Sequence, residues 1–149
     1  MVTMKNETKH DKETVLFICT HNSARSQMAE GILNSLNGEC YYAHSAGTDP
    51  GTLSPYAIKA LMEIGIDISN HQSKSLKEFE GVEFDRVITV CGGEGEACPF
   101  FPGGKEYIHK SFEDPNDVTG TEKDKLDAFK RIRDEIKEWI IETFEVNKC

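Results

Sequence analysis

A chain of 149 residues, 38% hydrophobic and 29% charged, has the size and balance of one water-soluble globular domain. Its formal charge of −9 argues against a nucleic-acid surface or an anionic membrane as the main partner, so any anion site must be local. With no apolar run of membrane-span length and no secretory h-region, the expected location is cytoplasmic; there thiols stay reduced, and five cysteines do not read as a disulfide framework.

Residues 1–13 are polar and predict a loose tail, leaving 14–149 as a single domain without repeats or linkers. Thr14 to Ile18 (TVLFI) is a short apolar run, the pattern of a buried strand. Cys19-Thr20-His21-Asn22-Ser23-Ala24-Arg25-Ser26 follows, and then Met28, Ala29, Ile32, Leu33 and Leu36 share one helical face until Asn37-Gly38. Tyr41 to Ala46 predicts a second strand. Ser54-Pro55 reads as an N-cap and first helical position, with the helix ending at Gly65. Arg86 to Val90 predicts a third strand and Glu106 to His109 a short fourth one. From about Lys123 to Phe144, Leu126, Phe129, Ile132, Ile136, Trp139 and Ile140 keep three-four spacing, which predicts a long helix. Alternating strands and helices imply an α/β fold, an open four-stranded parallel sheet with helices on both faces. Ligands in such folds bind beyond the carboxyl ends of the strands, where Cys19 and Cys91 both fall.

A loop between a buried strand and a helix start presents backbone amides and the positive end of the helix dipole. Thr20 to Ser26 fits that description, and the guanidinium of Arg25 adds paired donors suited to a tetrahedral oxyanion. The same field favours a thiolate at Cys19, to which Ser26 can add a hydroxyl donor. Spacing alone is a weak signal, and it also fits a buried small hydrophobe with a surface arginine. Placement at a strand end strengthens the reading of an anion loop.

Cys19-x5-Arg25-Ser26 near the amino terminus resembles the catalytic loop of the low-molecular-weight protein tyrosine phosphatases and of the arsenate reductases that share their fold. CTHNSARSQMAEG (Cys19 to Gly31), His44 to Gly47 and Asp67 to His71 are similar to the reductase branch, and the likeness runs from about Thr14 to Phe144. It implies arsenate as substrate.

Cys91-Gly-Gly-Glu-Gly-Glu-Ala-Cys98-Pro99 follows the third strand, and its three glycines predict a segment able to rearrange. Read alone, the pair fits inert burial, a zinc pair with His109, or a thiol relay. Six intervening residues exceed the usual zinc spacing. The resemblance implies the relay. Cys91 and Cys98 match the two further cysteines of thioredoxin-coupled reductases, with thioredoxin or a glutaredoxin-like protein as reductant.

Asp114-Pro115 is by itself a turn signal. In the family it resembles, an Asp-Pro here supplies the general acid, which implies that role for Asp114 rather than Glu113. Phosphatases of this fold usually carry an aromatic after the proline, whereas this chain has Asn116. The alternative function, a phosphatase working through a Cys19 phosphocysteine, needs Cys19, Arg25 and Asp114 alone. Asn22, Glu30 and Ser45 match a potassium site known in some of these reductases, but Lys74 stands where an acidic ligand is expected. The resulting expectations are no metal, no cofactor, and a monomer. Cys40 reads as strand filler and Cys149 as an exposed tail thiol.

Overall fold

The computed structural model describes residues 12–91 and 100–144; most of the polar tail, Cys98 and Cys149 lie outside them. Strand β1 (Glu13–Cys19) leads into helix α1 (Arg25–Asn37), strand β2 (Tyr41–Gly47) and helix α2 (Pro55–Met62). Strands β3 (Phe84–Thr89) and β4 (Gly104–His109) precede the closing helix α3 (Glu122–Thr143), with single 3-10 turns at Leu76–Phe79 and Pro115–Asp117. The four strands form one sheet in the order β2-β1-β3-β4, every neighbouring pair parallel.

β1 is central because its sequence is apolar on both faces, as a parallel strand covered on two sides requires. Val15, Phe17 and Cys19 join a cluster with residues of all three α-helices, whereas Leu16 and Ile18 face Phe84, Val87 and Phe101. Leu76 and Phe79 of the 3-10 turn pack over that second face. Helix α3 docks through Phe129, Ile132, Ile136 and Ile140, all fully or almost fully buried. Each such side chain withdrawn from water contributes roughly 1.5–3 kcal/mol. That stripe outweighs the capping box of Thr121 and Asp124, a feature worth about 1 kcal/mol.

The expected elements are present with shifted edges. β3 starts at Phe84, two residues before the apolar run at Arg86, because Asp85 is tied to β1 through Thr14 N–H at 2.8 Å. α2 stops at Met62, short of Gly65, whose φ of +82° carries the chain out of the helix.

Candidate active site

The carboxyl ends of β1 and β2 lie side by side, with Cys19 paired to Gly47. From there residues 20–24 turn back into α1, and the segment after β2 braces that turn from outside. Asp49 N donates to Thr20 O, Gly51 N to His21 O, and Ser54 N to Ser23 O, at 2.8–3.0 Å. The remaining carbonyl, Asn22 O, accepts from Ser73 Oγ at 2.7 Å. With the carbonyls engaged outward, amides are left for the inner side. Asn22 N donates to Cys19 Sγ at 3.2 Å.

Asn22 is the keystone of the loop. It is wholly buried and takes φ +52°, a left-handed conformation that asparagine tolerates better than most residues. Its Oδ1 accepts from Lys74 N and Gln27 Nε2, which orients the amide so that Nδ2 donates to Ser26 Oγ at 2.7 Å. Ser26 Oγ in turn lies 2.8 Å from Cys19 Sγ. Gly47 is needed here because a Cβ on it would lie 2.5 Å from Thr20 O and 3.0 Å from Asn22 N.

Arg25 is almost fully buried. Its Nη1 donates to Phe112 O at 3.2 Å, and its Nη2 lies 3.4 Å from Asp114 Oδ2. Asp114 caps the 3-10 turn after it, with Oδ1 accepting from Asn116 N at 3.0 Å. Cys19, His21, Ser23, Ala24, Arg25, Asp114 and Asn116 line a small cavity. His21 is half exposed at its rim, with Nδ1 2.9 Å from Asp49 O. Thr20, Asn22 and Ser26 are not part of its lining; Asn22 and Ser26 instead contact the Cys19 sulfur. A buried sulfur with two donors, a guanidinium and a carboxyl group above them can hold a tetrahedral oxyanion, attack its central atom and protonate a leaving oxygen.

Cys91 lies two residues beyond the end of β3 and is fully buried in the same cluster as Cys19. Val90 N donates to Ile18 O at 2.9 Å, so the residues preceding the two cysteines are hydrogen-bonded to each other. Cys19 is a free thiol, whereas Cys91 and Cys40 are each disulfide-bonded. The bond at Cys40 corrects its reading as inert strand filler, since burial beside a strand start does not reveal pairing. His109 is engaged elsewhere, its two ring nitrogens facing Thr89 Oγ1 and Ser111 Oγ.

Sequence reasoning missed the buttress of Asn22 by Gln27, Ser73 and the Lys74 backbone, and the place of Asn116 in the cavity wall. The residues of the family's potassium site meet around Glu30. Ser45 Oγ donates to Glu30 Oε1 at 2.5 Å, and the Lys74 ammonium lies 4.0 Å from the same oxygen. Through its backbone N–H, Lys74 also holds Asn22. Beside this group, burial lowers the pKa of His44 against the opposing pull of Glu30.

Residues 14–147 match the family described as low molecular weight phosphotyrosine protein phosphatase. The arsenate reductase of Halalkalibacterium halodurans is 41% identical over 126 residues, 85% of this chain and 91% of that protein. The arsenate reductase of Bacillus subtilis is 39% identical over 138 residues, 93% of this chain and 99% of the relative. Among solved structures, an arsenate reductase in the phosphate binding state superposes with a TM-score of 0.73 at 32% identity, covering 86% of this chain and 93% of its own. The thioredoxin-dependent arsenate reductase of Corynebacterium glutamicum gives 0.63 at 29% identity, covering 91% of this chain and 63% of its own. Matched along nearly its whole length in sequence and in fold, the chain belongs to the low molecular weight phosphotyrosine protein phosphatase family, in its arsenate reductase branch.

Proposed function

We propose that the chain reduces arsenate to arsenite through Cys19, Cys91 and Cys98, with thioredoxin as the reductant. Arsenate sits on the amides of residues 20–25 and on Arg25. The Cys19 thiolate attacks arsenic(V), and one oxygen leaves as water with the proton of Asp114. Cys91 then attacks the Cys19 sulfur. The new sulfur–sulfur bond forms as the sulfur–arsenic bond breaks, and its electron pair stays on arsenic, which departs as arsenite. Cys98 attacks Cys91, Cys19 leaves as a thiolate, and a Cys91–Cys98 disulfide remains for an external dithiol. Arsenic gains two electrons and the pair of thiols loses two.

The observation that carries this reading is the second cysteine. Cys91 is fully buried in the same cluster as Cys19, and the residue before it is hydrogen-bonded to the residue before Cys19. A phosphatase has no use for it. Thioredoxin is favoured by likeness to the Corynebacterium protein, and a thioredoxin partner accords with a cytoplasmic location. Lys74 supplies the positive charge at Glu30, so the donor set does not fit a potassium ion and none is assigned to the mechanism.

The test is mass spectrometry of pre-reduced protein after arsenate treatment without reductant. Wild type should accumulate Cys91–Cys98, and Cys98→Ser should trap Cys19–Cys91. Release of phosphate from aryl phosphates at an unchanged rate in Cys91→Ser, without any arsenate-driven pairing in wild type, would favour the phosphatase instead.

A further inference from the structure

Asp114 is bracketed. On its amino-terminal side the carbonyl of Phe112 accepts from Arg25 Nη1. On its carboxyl side the side chain of Asn116 crosses to the anion loop, Nδ2 donating to Ser23 Oγ at 3.2 Å across 93 positions of sequence. Between the two anchors, Pro115 is buried and limits the backbone. Asn116 serves twice in this arrangement. Its backbone N–H takes one oxygen of Asp114, Oδ1, and leaves the other toward Arg25 Nη2. Its amide group fixes how far the whole turn stands above the loop.

We infer that Asn116 is a positioning residue, the tether that holds the carboxyl of Asp114 over the oxygen leaving arsenic. The physical reason is the steep distance dependence of proton transfer. A general acid has to lie within hydrogen-bond reach of the departing oxygen, and a displacement of about 1 Å in a catalytic group is enough to cost a large share of the rate. Arg25 does not fix that height alone, since its guanidinium must turn its donors to the anion when one binds. The Asn116–Ser23 bond does not involve the anion's charge and persists through that exchange. Because Asn116 acts on the leaving oxygen only through Asp114, it governs the first chemical step and not the affinity for the anion. This inference rests on the role of Asp114 as acid.

Two rates separate the possibilities, using the full-length protein. The first is arsenate-driven loss of free Cys19 in a Cys98→Ser background, where the relay stops at the Cys19–Cys91 pair. The second is protection of Cys19 from iodoacetamide by phosphate, which reads anion binding without chemistry. Asn116→Ala should slow the first about five- to tenfold, the equivalent of one hydrogen bond, and leave phosphate protection unchanged. Ser23→Ala removes the same bond from the other side and should slow the step similarly, with the double variant no slower than either single one. In an Asp114→Asn background, adding Asn116→Ala should cost nothing more. An undiminished rate in Asp114→Asn would overturn the acid assignment and the tether with it. A slowed Asp114→Asn beside a fully active Asn116→Ala would overturn the tether alone, as would additive losses or a loss of phosphate protection equal to the loss of rate.

Discussion

Replacing Ser26 by alanine removes one hydroxyl from the interior and should be felt at both ends of a short hydrogen-bond chain. Asn22 Nδ2 only donates, so its 2.7 Å bond to Ser26 Oγ leaves the serine's own hydrogen free for Cys19 Sγ at 2.8 Å. The sulfur then has two donors, Ser26 and the Asn22 backbone N–H. A hydrogen bond to a charged group contributes about 1.5–3 kcal/mol, which corresponds to roughly ten- to a hundredfold in the reactive thiolate population at neutral pH. The same substitution strands Asn22 Nδ2 in a wholly buried place, a cost of about 1–3 kcal/mol to the fold. For a chain of this length that lowers the melting temperature by about 2–4 °C per kcal/mol. The assay is the iodoacetamide rate at Cys19, followed by peptide mass spectrometry across pH, beside a thermal melt. Reactivity should fall at neutral pH, because the sulfur loses one of its two donors. A folded Ser26→Ala protein alkylated at the wild-type rate at neutral pH would refute the donor role of Ser26.

Two further outcomes are expected. Asp85 has its pKa lowered, first by the Thr14 backbone N–H and then by Lys105, so its carboxylate stabilises the fold above the ordinary carboxylate range and loses that effect as pH falls through the depressed value. Asp85→Asn should therefore melt lower than wild type near neutrality, by about 1 kcal/mol or less, with the gap closing in acid below the ordinary carboxylate range; a gap that widens in acid would contradict this. Turnover of wild type should be equal in potassium and sodium salts, because Lys74 holds the charge at Glu30, and a potassium-specific rise in rate would disprove that substitution.

The residues nearest the chemistry were legible because their signal is local. A buried strand, a cysteine, five intervening residues and an arginine at a helix start are contiguous in sequence, and the structure assembles them as such. The helix stripe of α3 was readable for the same reason, a period sustained over 22 residues. The 3-10 turn Leu76–Phe79 was not, since four residues carry no period and its two apolar side chains meet the sheet only in three dimensions. Gly47 reads in sequence as the end of a strand. Its true constraint is the backbone of Thr20 pressed against it, a contact set by how β1 and β2 align. Asn116 drew notice as a missing aromatic, whereas its contact with Ser23 spans most of the chain and leaves no local trace.

In the relay proposed above, the complete burial of Cys91 would give electron flow a direction. A protein-sized dithiol cannot bring its nucleophile to an atom sealed inside the core, so it must cleave the bond from the opposite sulfur and release Cys91 as the leaving group. Inward attack is reserved for a nucleophile of the chain itself. The same burial would keep a small cellular thiol from intercepting that sulfur.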